Sequence, residues 1–459
     1  MSKKILMMFA TVLLVGITVP AFAAVENVKV GGDISIYGVY RKNFDFTKDT
    51  VAKDSTRWLM TTTRVYVSSK LTENVEAVIR LINERDWADN TGATNDQIEL
   101  DLAYIKLSDI FVPGLSATLG RQEIILGEGF IIGDLDPDDS GLAAGDLSSA
   151  LATDALRLDY EVATIPLTLT GFAAKINENF VTPTIGIGVD MSSLPPTITV
   201  GNDVYDQDLY GVNANYQVPI AEAEVEGYFV DLKNSNPTKN TTNVLAVPTF
   251  GLRAAHNIAT IPGLSWKGEF AMQWGKNNVV PAAVGTNEDN KGYAGYGGIE
   301  YAFQDIAWEP TLGFVYYHFS GDDDATDSTN NAWNPLFPDA AGDRIGAIVD
   351  ATGLVNNWGQ QSNMQVIKLS GSIQPTEKIS LDLTFFNDQL VKTAAGEKKE
   401  LGNEIDLNLG YAYSEDVEFG LTFGYFARGS AIKNAVDDAS GAGSSADAIQ
   451  LLGSVAVAF

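Results

Sequence analysis

The sequence predicts an all-β fold: a transmembrane antiparallel up-and-down β-barrel of about 18 strands. Three observations predict it: an export-type start, period-two patterning along the rest of the chain, and connections that alternate between short and long. At the start, Met1-Ser2-Lys3-Lys4 is basic, Ile5 to Val19 is apolar, and Ala21-Phe22-Ala23 supplies the small residues of a cleavage flank. Cleavage after Ala23 leaves a single domain over residues 24–459. The apolar run is short for a membrane span, and no Cys follows it to carry a lipid anchor. No later segment offers about 18 consecutive apolar residues, which excludes a helical span but not a barrel.

Strand-like segments follow in order at 28–46, 56–71, 75–86, 97–108, 115–126, 153–162, 167–178, 207–218, 222–232, 248–257, 264–275, 292–303, 308–319, 363–373, 378–388, 401–413, 417–428 and 447–459. Their number is even, as in bacterial single-chain barrels. Every second connection is short: Thr72-Glu73-Asn74, Val112-Pro113-Gly114, Thr164-Ile165-Pro166, Pro219-Ile220-Ala221, Ile261-Pro262-Gly263, Gln304-Asp305-Ile306, Pro375-Thr376-Glu377 and Ser414-Glu415-Asp416. Those between are long and polar, among them 127–152, 179–206, 233–247, 276–291, 320–362 and 429–446. A barrel with a periplasmic and an external rim sorts its loops this way, whereas a sandwich or propeller has no reason to. Both termini then lie on the periplasmic side.

Faces can be read from the alternation. Ile405, Leu407, Leu409 and Tyr411 alternate with Glu404, Asp406 and Asn408, and Val417, Phe419, Leu421, Phe423 and Tyr425 with Glu418, Thr422 and Arg428. Carboxylates facing hydrocarbon cost several kcal/mol each, so these acids must face a watery interior. Tyr216, Tyr301, Phe303 and Tyr411 near strand ends fit interfacial girdles. The last segment, Ile449 to Phe459, is amphipathic and ends on an aromatic residue. It is expected to close the barrel against the strand that starts near Val28.

Composition agrees. A formal charge of −29 argues against nucleic acid, and the absence of Cys excludes a disulfide framework. Mean hydropathy near zero suits an apolar outside around a wet inside. Seven of the ten Arg (41, 57, 64, 80, 85, 121 and 157) fall in roughly the first third of the chain, none beyond residue 157 until Arg253. Arg64, Arg80 and Arg157 occupy inward positions, and Arg121 sits on a neighbouring strand where Leu119-Arg121 breaks the alternation and marks a candidate bulge. Together they form a candidate basic ladder, with Glu76, Asp101, Asp159 and Glu161 near enough in sequence to pair with it. The second half of the chain, with Glu404 and Asp406 among its inward acids and Arg428 beside them, would form an opposing acidic wall. Two readings stay open for the ladder: charge selection of solutes, or pairing that stiffens the wall.

Loops 127–152 and 320–362 are long enough to fold inward and narrow the channel, or to serve as external cover. Asp134, Asp136 and Asp138 alternate like the start of a calcium loop, but Asp139 stands at the sixth place where Gly is needed and Gly145 at the twelfth where Glu is. An EF-hand is rejected, leaving these acids as loose cation candidates alongside Asp322-Asp323-Asp324. With only His256 and His318, on different strands, there is no metal or catalytic spacing, so neither an enzyme nor a cofactor is expected.

Several segments resemble the alginate-export porin family of Gram-negative outer membranes. They are Leu119-Gly120-Arg121-Gln122-Glu123-Ile124 with Gly127, Asp154-Ala155-Leu156-Arg157-Leu158, Ser320-Gly321-Asp322-Asp323-Asp324 with Asn334-Pro335-Leu336-Phe337-Pro338, and Leu401-Gly402-Asn403-Glu404-Ile405-Asp406-Leu407. They occur in the expected order over nearly the whole chain. The resemblance implies a monomeric eighteen-strand barrel passing polar, often anionic, solutes or oligosaccharides. By likeness to other outer-membrane barrels, Phe459 is implied as a signal to the barrel-assembly machinery. Lipid and lipopolysaccharide are the expected surroundings. A dedicated polysaccharide exporter and a surface adhesion barrel are the alternatives, and the inward acids speak against alginate itself.

Overall fold

A computed structural model describes residues 28–48, 55–87, 97–136, 145–177, 188–190, 197–199, 206–219, 222–235, 245–277, 288–322, 324, 327–339, 342–352 and 361–459. The expected leader and Asp138 lie outside the described residues. Eighteen long strands form the wall. The first nine are β1 (Val28–Lys42), β2 (Thr56–Thr72), β3 (Val75–Asp86), β4 (Glu99–Leu107), β5 (Leu115–Gln122), β6 (Thr153–Glu161), β7 (Leu167–Asn177), β8 (Asp206–Val218) and β9 (Ala223–Ser235). The other nine are β10 (Leu245–Asn257), β11 (Leu264–Gln273), β12 (Tyr293–Ala302), β13 (Thr311–Phe319), β14 (Met364–Thr376), β15 (Ile379–Leu390), β16 (Glu400–Ala412), β17 (Val417–Arg428) and β18 (Ala448–Ala458).

Each strand pairs antiparallel with its neighbours in sequence, and β18 returns to β1, so the sheet closes without an edge. The seam runs from Asp33↔Ala458 to Lys42↔Ile449. It is finished by Phe459, whose N–H donates to the Gly32 carbonyl (2.9 Å) while its own carbonyl accepts from Gly32 N–H (3.0 Å). The expected number, order and closure of strands are all present.

The hairpin turns at one rim are short because their residues impose the bend. At Ile261-Pro262-Gly263, Pro fixes φ, and Gly263 takes φ +89° where an added Cβ would lie 2.1 Å from the Ala302 carbonyl oxygen. Three boundaries move inward by three or more residues; β1 ends at Lys42 rather than 46, with Asn43 and Phe46 at positive φ beyond it. Trp308 and Glu309 hold positive φ and Pro310 has no N–H to give the ladder, so β13 starts at Thr311 rather than 308. β5 stops at Gln122, after which the chain leaves the wall and enters the lumen.

Burial splits each strand by parity. On β16, Glu404 and Asp406 are buried inside, while Ile405 and Leu407 are 43% and 38% exposed outside. Three helical turns belong to the long loops: α1 (Gly342–Ile345), α2 (Ala347–Ala351) and α3 (Ser430–Ser440). The apolar core of the molecule lies inside the barrel. Ile124, Leu126, Phe130, Ile131, Ile132 and Leu135 from the β5–β6 loop meet Trp333, Leu336, Ile345 and Ile348 from the β13–β14 loop. The two loops form a parallel bridge at Ile132↔Phe337.

Candidate functional site

The lumen is the candidate site, and two layers build it: charged side chains on the inner wall, and the two long loops that fold among them. The described residues of both loops turn into the barrel rather than lying over its rim. Their residues bond to side chains whose parity places them on inner faces all around the ring. From the β5–β6 loop, Asp146 accepts from Arg41 on β1 (2.5 Å), and Ser148 and Ser149 donate to Glu84 on β3 (2.7 and 2.9 Å). Gly127 N–H donates to Glu226 on β9 (3.2 Å). Glu128 reaches Arg253 on β10 (3.4 Å), Lys267 on β11 (2.7 Å) and Tyr296 on β12 (3.5 Å). Burial opposes charge on Glu128, yet Lys267 and Arg253 outweigh it and hold its carboxyl below the ordinary range.

The β13–β14 loop is tied in the same way. Lys368 on β14 donates to Asp343 (2.7 Å), and Gln273 on β11 donates to the Asn334 carbonyl (2.7 Å). The first turn of α2 is received by two wall carboxylates on β16. Glu404 accepts from the backbone N–H groups of Ile348 (2.6 Å) and Val349 (3.1 Å), and Asp406 accepts from Ala347 (3.2 Å). These N–H groups would otherwise be left without acceptors, so the acids of the wall serve as the cap of a loop helix. Beside them on β15, Asp388 is fully buried and neither of its oxygens has a donor. Within the loop, Arg344 binds Asp339, whose carboxyl burial nevertheless raises above its ordinary range.

On the other side of the lumen the expected basic residues are in place, each with an acid. Arg64 donates from Nε to Asp33 across the β1–β2 pair (3.0 Å). Arg80 binds both Asp101 and Glu123. Asp101 can turn to it because the β3–β4 register shifts between Arg80 and Leu81. Arg157 binds Asp159 (2.9 Å), which also accepts from Thr170 (2.7 Å). Arg121 bonds to Asp136 of the loop (2.7 Å). The break in alternation at Arg121 comes without a register shift on either side. Instead Gly120 takes φ +118°, where a Cβ would lie 2.2 Å from the Ala103 carbonyl oxygen. Glu161 stands exposed at the short-turn end of β6, without an ion pair among the described residues.

Arg428 binds Asp447, which also accepts from Tyr425 (2.8 Å), so it fastens β17 to the entry of β18 at the long-loop rim. Asp136 accepts from Arg121, and its N–H donates to Asp134 (2.9 Å), so this pair of candidate calcium ligands is engaged within the protein. Asp322 accepts from Asn331 N–H (3.1 Å). The two histidines face outward: His256 lies edge-on to Trp266, and His318 stacks on Tyr293 (centroids 5.5 Å). Ser320, two residues beyond His318, donates to the Asn331 carbonyl and accepts from Tyr293 N–H, and makes no hydrogen bond to His318 among the described residues.

Sequence reasoning missed Arg41 and Arg253, the two cations most tightly enclosed by the loops. Arg253 sits between Glu128, Glu224 and Glu226 (3.4, 3.4 and 3.7 Å). Both lie in register with inward residues, Arg41 beside Val39 and Arg253 beside Ala255, and that parity was the available signal.

A family model described as alginate export matches residues 199–443, more than half of the chain. The chain belongs to the alginate-export family. Its fold is that of outer-membrane porins. Pseudomonas aeruginosa OccK2 (OpdF), solved in complex with glucuronate, superposes with a TM-score of 0.55 at 12% identity, covering 95% of this chain and 99% of that one. P. aeruginosa OccK8 (OprE) gives 0.57 at 12% identity over 95% and 99%. A BenF-like porin from Pseudomonas fluorescens Pf-5 gives 0.54 at 10% identity over 95% and 100%. At such identities the likeness is one of fold. A comparison with curated protein sequences finds no match. This member of the family is a porin-type barrel and not an enzyme.

Proposed function

We propose that this barrel is a selective diffusion channel for small polar solutes, with acidic monosaccharides or short oligosaccharides as its natural class. One observation carries the reading: the loops narrow the lumen but leave Arg64, Arg80 and Arg157 partly open to it, with side-chain exposures of 29%, 17% and 35%. In a ring of 18 strands, β6 stands opposite β15, so Arg157 faces the side on which Asp382 is part-exposed on the inner face, while Asp388, Glu404 and Asp406 are buried beneath the β13–β14 loop. A field across the pore orients a dipolar solute and favours one whose charge follows the basic side. Each Arg keeps its carboxylate partner, so pairing and selection act together. The glucuronate of the OccK2 complex is a solute of this chemistry.

A continuous polymer conduit is less well supported. It would need an open bore with uniform basic lining, and here two loops and a carboxylate wall occupy the interior. The same reading includes export by residues 1–23, residence in the outer membrane as a monomer, and insertion through the barrel-assembly machinery with Phe459 as signal.

Planar-bilayer recording and proteoliposome uptake test this. Discrete conductance steps and uptake of glucuronate, but not of an alginate polymer, are expected. Replacing Arg64, Arg80 and Arg157 together by Gln should move the reversal potential in a salt gradient toward cations. An unmoved potential would remove the selectivity role, and absence of any conductance would remove the channel.

A further inference from the structure

We propose that three buried carboxylates, Asp388, Glu404 and Asp406, make the β13–β14 loop a pH-sensitive gate, seated in acid and released in alkali. The three lie on the inner face of two paired strands. Asp388 on β15 faces Gly402 across the pair, and Glu404 and Asp406 on β16 face Phe386 and Thr384. Their exposures are 0%, 0% and 4%. What covers them is the loop itself. The first turn of α2 rests on Glu404 and Asp406, and Gly346 just before it leaves no room for a Cβ above the Glu404 carboxyl.

Burying three carboxylates side by side is costly when all are charged, and none of them has an ion pair among the described residues. Lys368 on β14 acts on Asp406, but its ammonium is bonded to Asp343 of α1 (2.7 Å). Arg344 of α1 binds Asp339, Arg428 on β17 binds Asp447, and Arg41 on β1 binds Asp146. On α3, Lys433 and Asp438 are exposed, and Asp437 accepts from Ser445 N–H (2.9 Å). Asp382 on β15 and Asp350 of α2 bring only further negative charge. Neither oxygen of Asp388 has a donor, nor has Asp406 Oδ1. The Glu404 and Asp406 carboxyls lie within hydrogen-bond reach of each other, which two carboxyls satisfy only with a proton between them. The seated loop therefore holds a proton that these groups give up once water reaches them. Because the seated state binds more protons than the released one, acid favours the seated loop. Each proton lost as pH rises favours release by up to about tenfold per pH unit. The lumen widens as the loop leaves it.

The test is cleavage within 342–352 of the folded full chain from about pH 5 to about pH 9, normalised to an unstructured peptide, with single-channel current recorded alongside. Wild-type cleavage should rise by about a hundredfold across that range, and current steps should grow larger and noisier. D406N replaces the shared proton by a permanent N–H donor to Glu404 and keeps an acceptor for Ala347 N–H. It should stay seated, with cleavage varying less than about threefold. D388N removes one repelling carboxylate and should move the rise upward by about one pH unit. D382N, on the same strand but part-exposed, should follow wild type. A wild-type cleavage rate unchanged by pH, or a D406N profile that matches wild type, would overturn the gate. Current depends on the channel reading, whereas cleavage reports the loop alone. Absence of conductance at every pH would therefore remove that reading and leave the gate to stand or fall on cleavage.

Discussion

Removing the Glu404 carboxylate should release the β13–β14 loop from the wall while leaving the barrel intact. In E404A the N–H groups of Ile348 and Val349 lose acceptors now at 2.6 and 3.1 Å, in a place from which water is excluded. Hydrogen bonds to a charged group are worth about 1.5–3 kcal/mol each. Two of them give a gross loss of about 3–6 kcal/mol. Part is returned, because Glu404 is buried beside Asp406 and Asp388, and removing one of three neighbouring carboxylates relieves repulsion and desolvation. The net is about 2–4 kcal/mol, which raises the detached-loop population roughly 30- to 1,000-fold. Asp406 still accepts from Ala347, so the helix keeps one tether. E404Q retains one acceptor oxygen but turns an NH2 group toward the other N–H, and should show about half the effect. In single-channel recordings E404A should give larger and noisier steps, with E404Q between it and wild type. Limited proteolysis should cut within 342–352 faster, at unchanged heat-modifiable mobility. If both variants keep wild-type conductance, noise and cleavage rate, α2 is not held by this cap and the reasoning fails.

Asp388 gives the opposite expectation. Both of its oxygens are buried without donors, so D388N removes a charge that nothing compensates and should raise the urea midpoint by the equivalent of about 1–3 kcal/mol. A lower midpoint would mean that the carboxylate has a favourable partner after all. G120A should cost about 3 kcal/mol, since φ +118° and a carbonyl oxygen 2.2 Å from the new carbon leave the strand no room to relax. G171A, with nothing within 4 Å, serves as the comparison and should stay near wild type in the same unfolding measurement.

The wall was legible in the sequence because a barrel strand is specified locally. A two-residue period, a Pro-Gly turn and the sorting of loop lengths are each visible within a dozen residues, and all eighteen strands, including the closing Ile449 to Phe459 segment, follow from them. The inward Arg64, Arg80 and Arg157 follow from the same parity. The interior of the lumen was not legible, because its contacts join residues far apart in sequence. Arg41 meets Asp146 at a separation of 105, and Glu128 meets Lys267 at 139. Their energies depend on loop paths that no period encodes. A partial signal was present: Ile131, Ile132, Leu135, Ile345 and Ile348 are large apolar residues within segments read as polar loops, and such residues need somewhere dry to go.

The seam between β1 and β18 is the pairing most distant in sequence and the costliest to close. Its hydrogen bond from Arg41 to Gln450 (2.8 Å) joins residues 409 apart. Closing so long a segment costs about 5 kcal/mol of chain entropy before any contact repays it. Without β18, a sheet of β1 to β17 would have two bare edges able to pair with other strands. A partly assembled wall is therefore a hazard to itself. The pairing of the two chain ends is what protects every other strand of the wall, since it alone leaves the sheet no edge to offer.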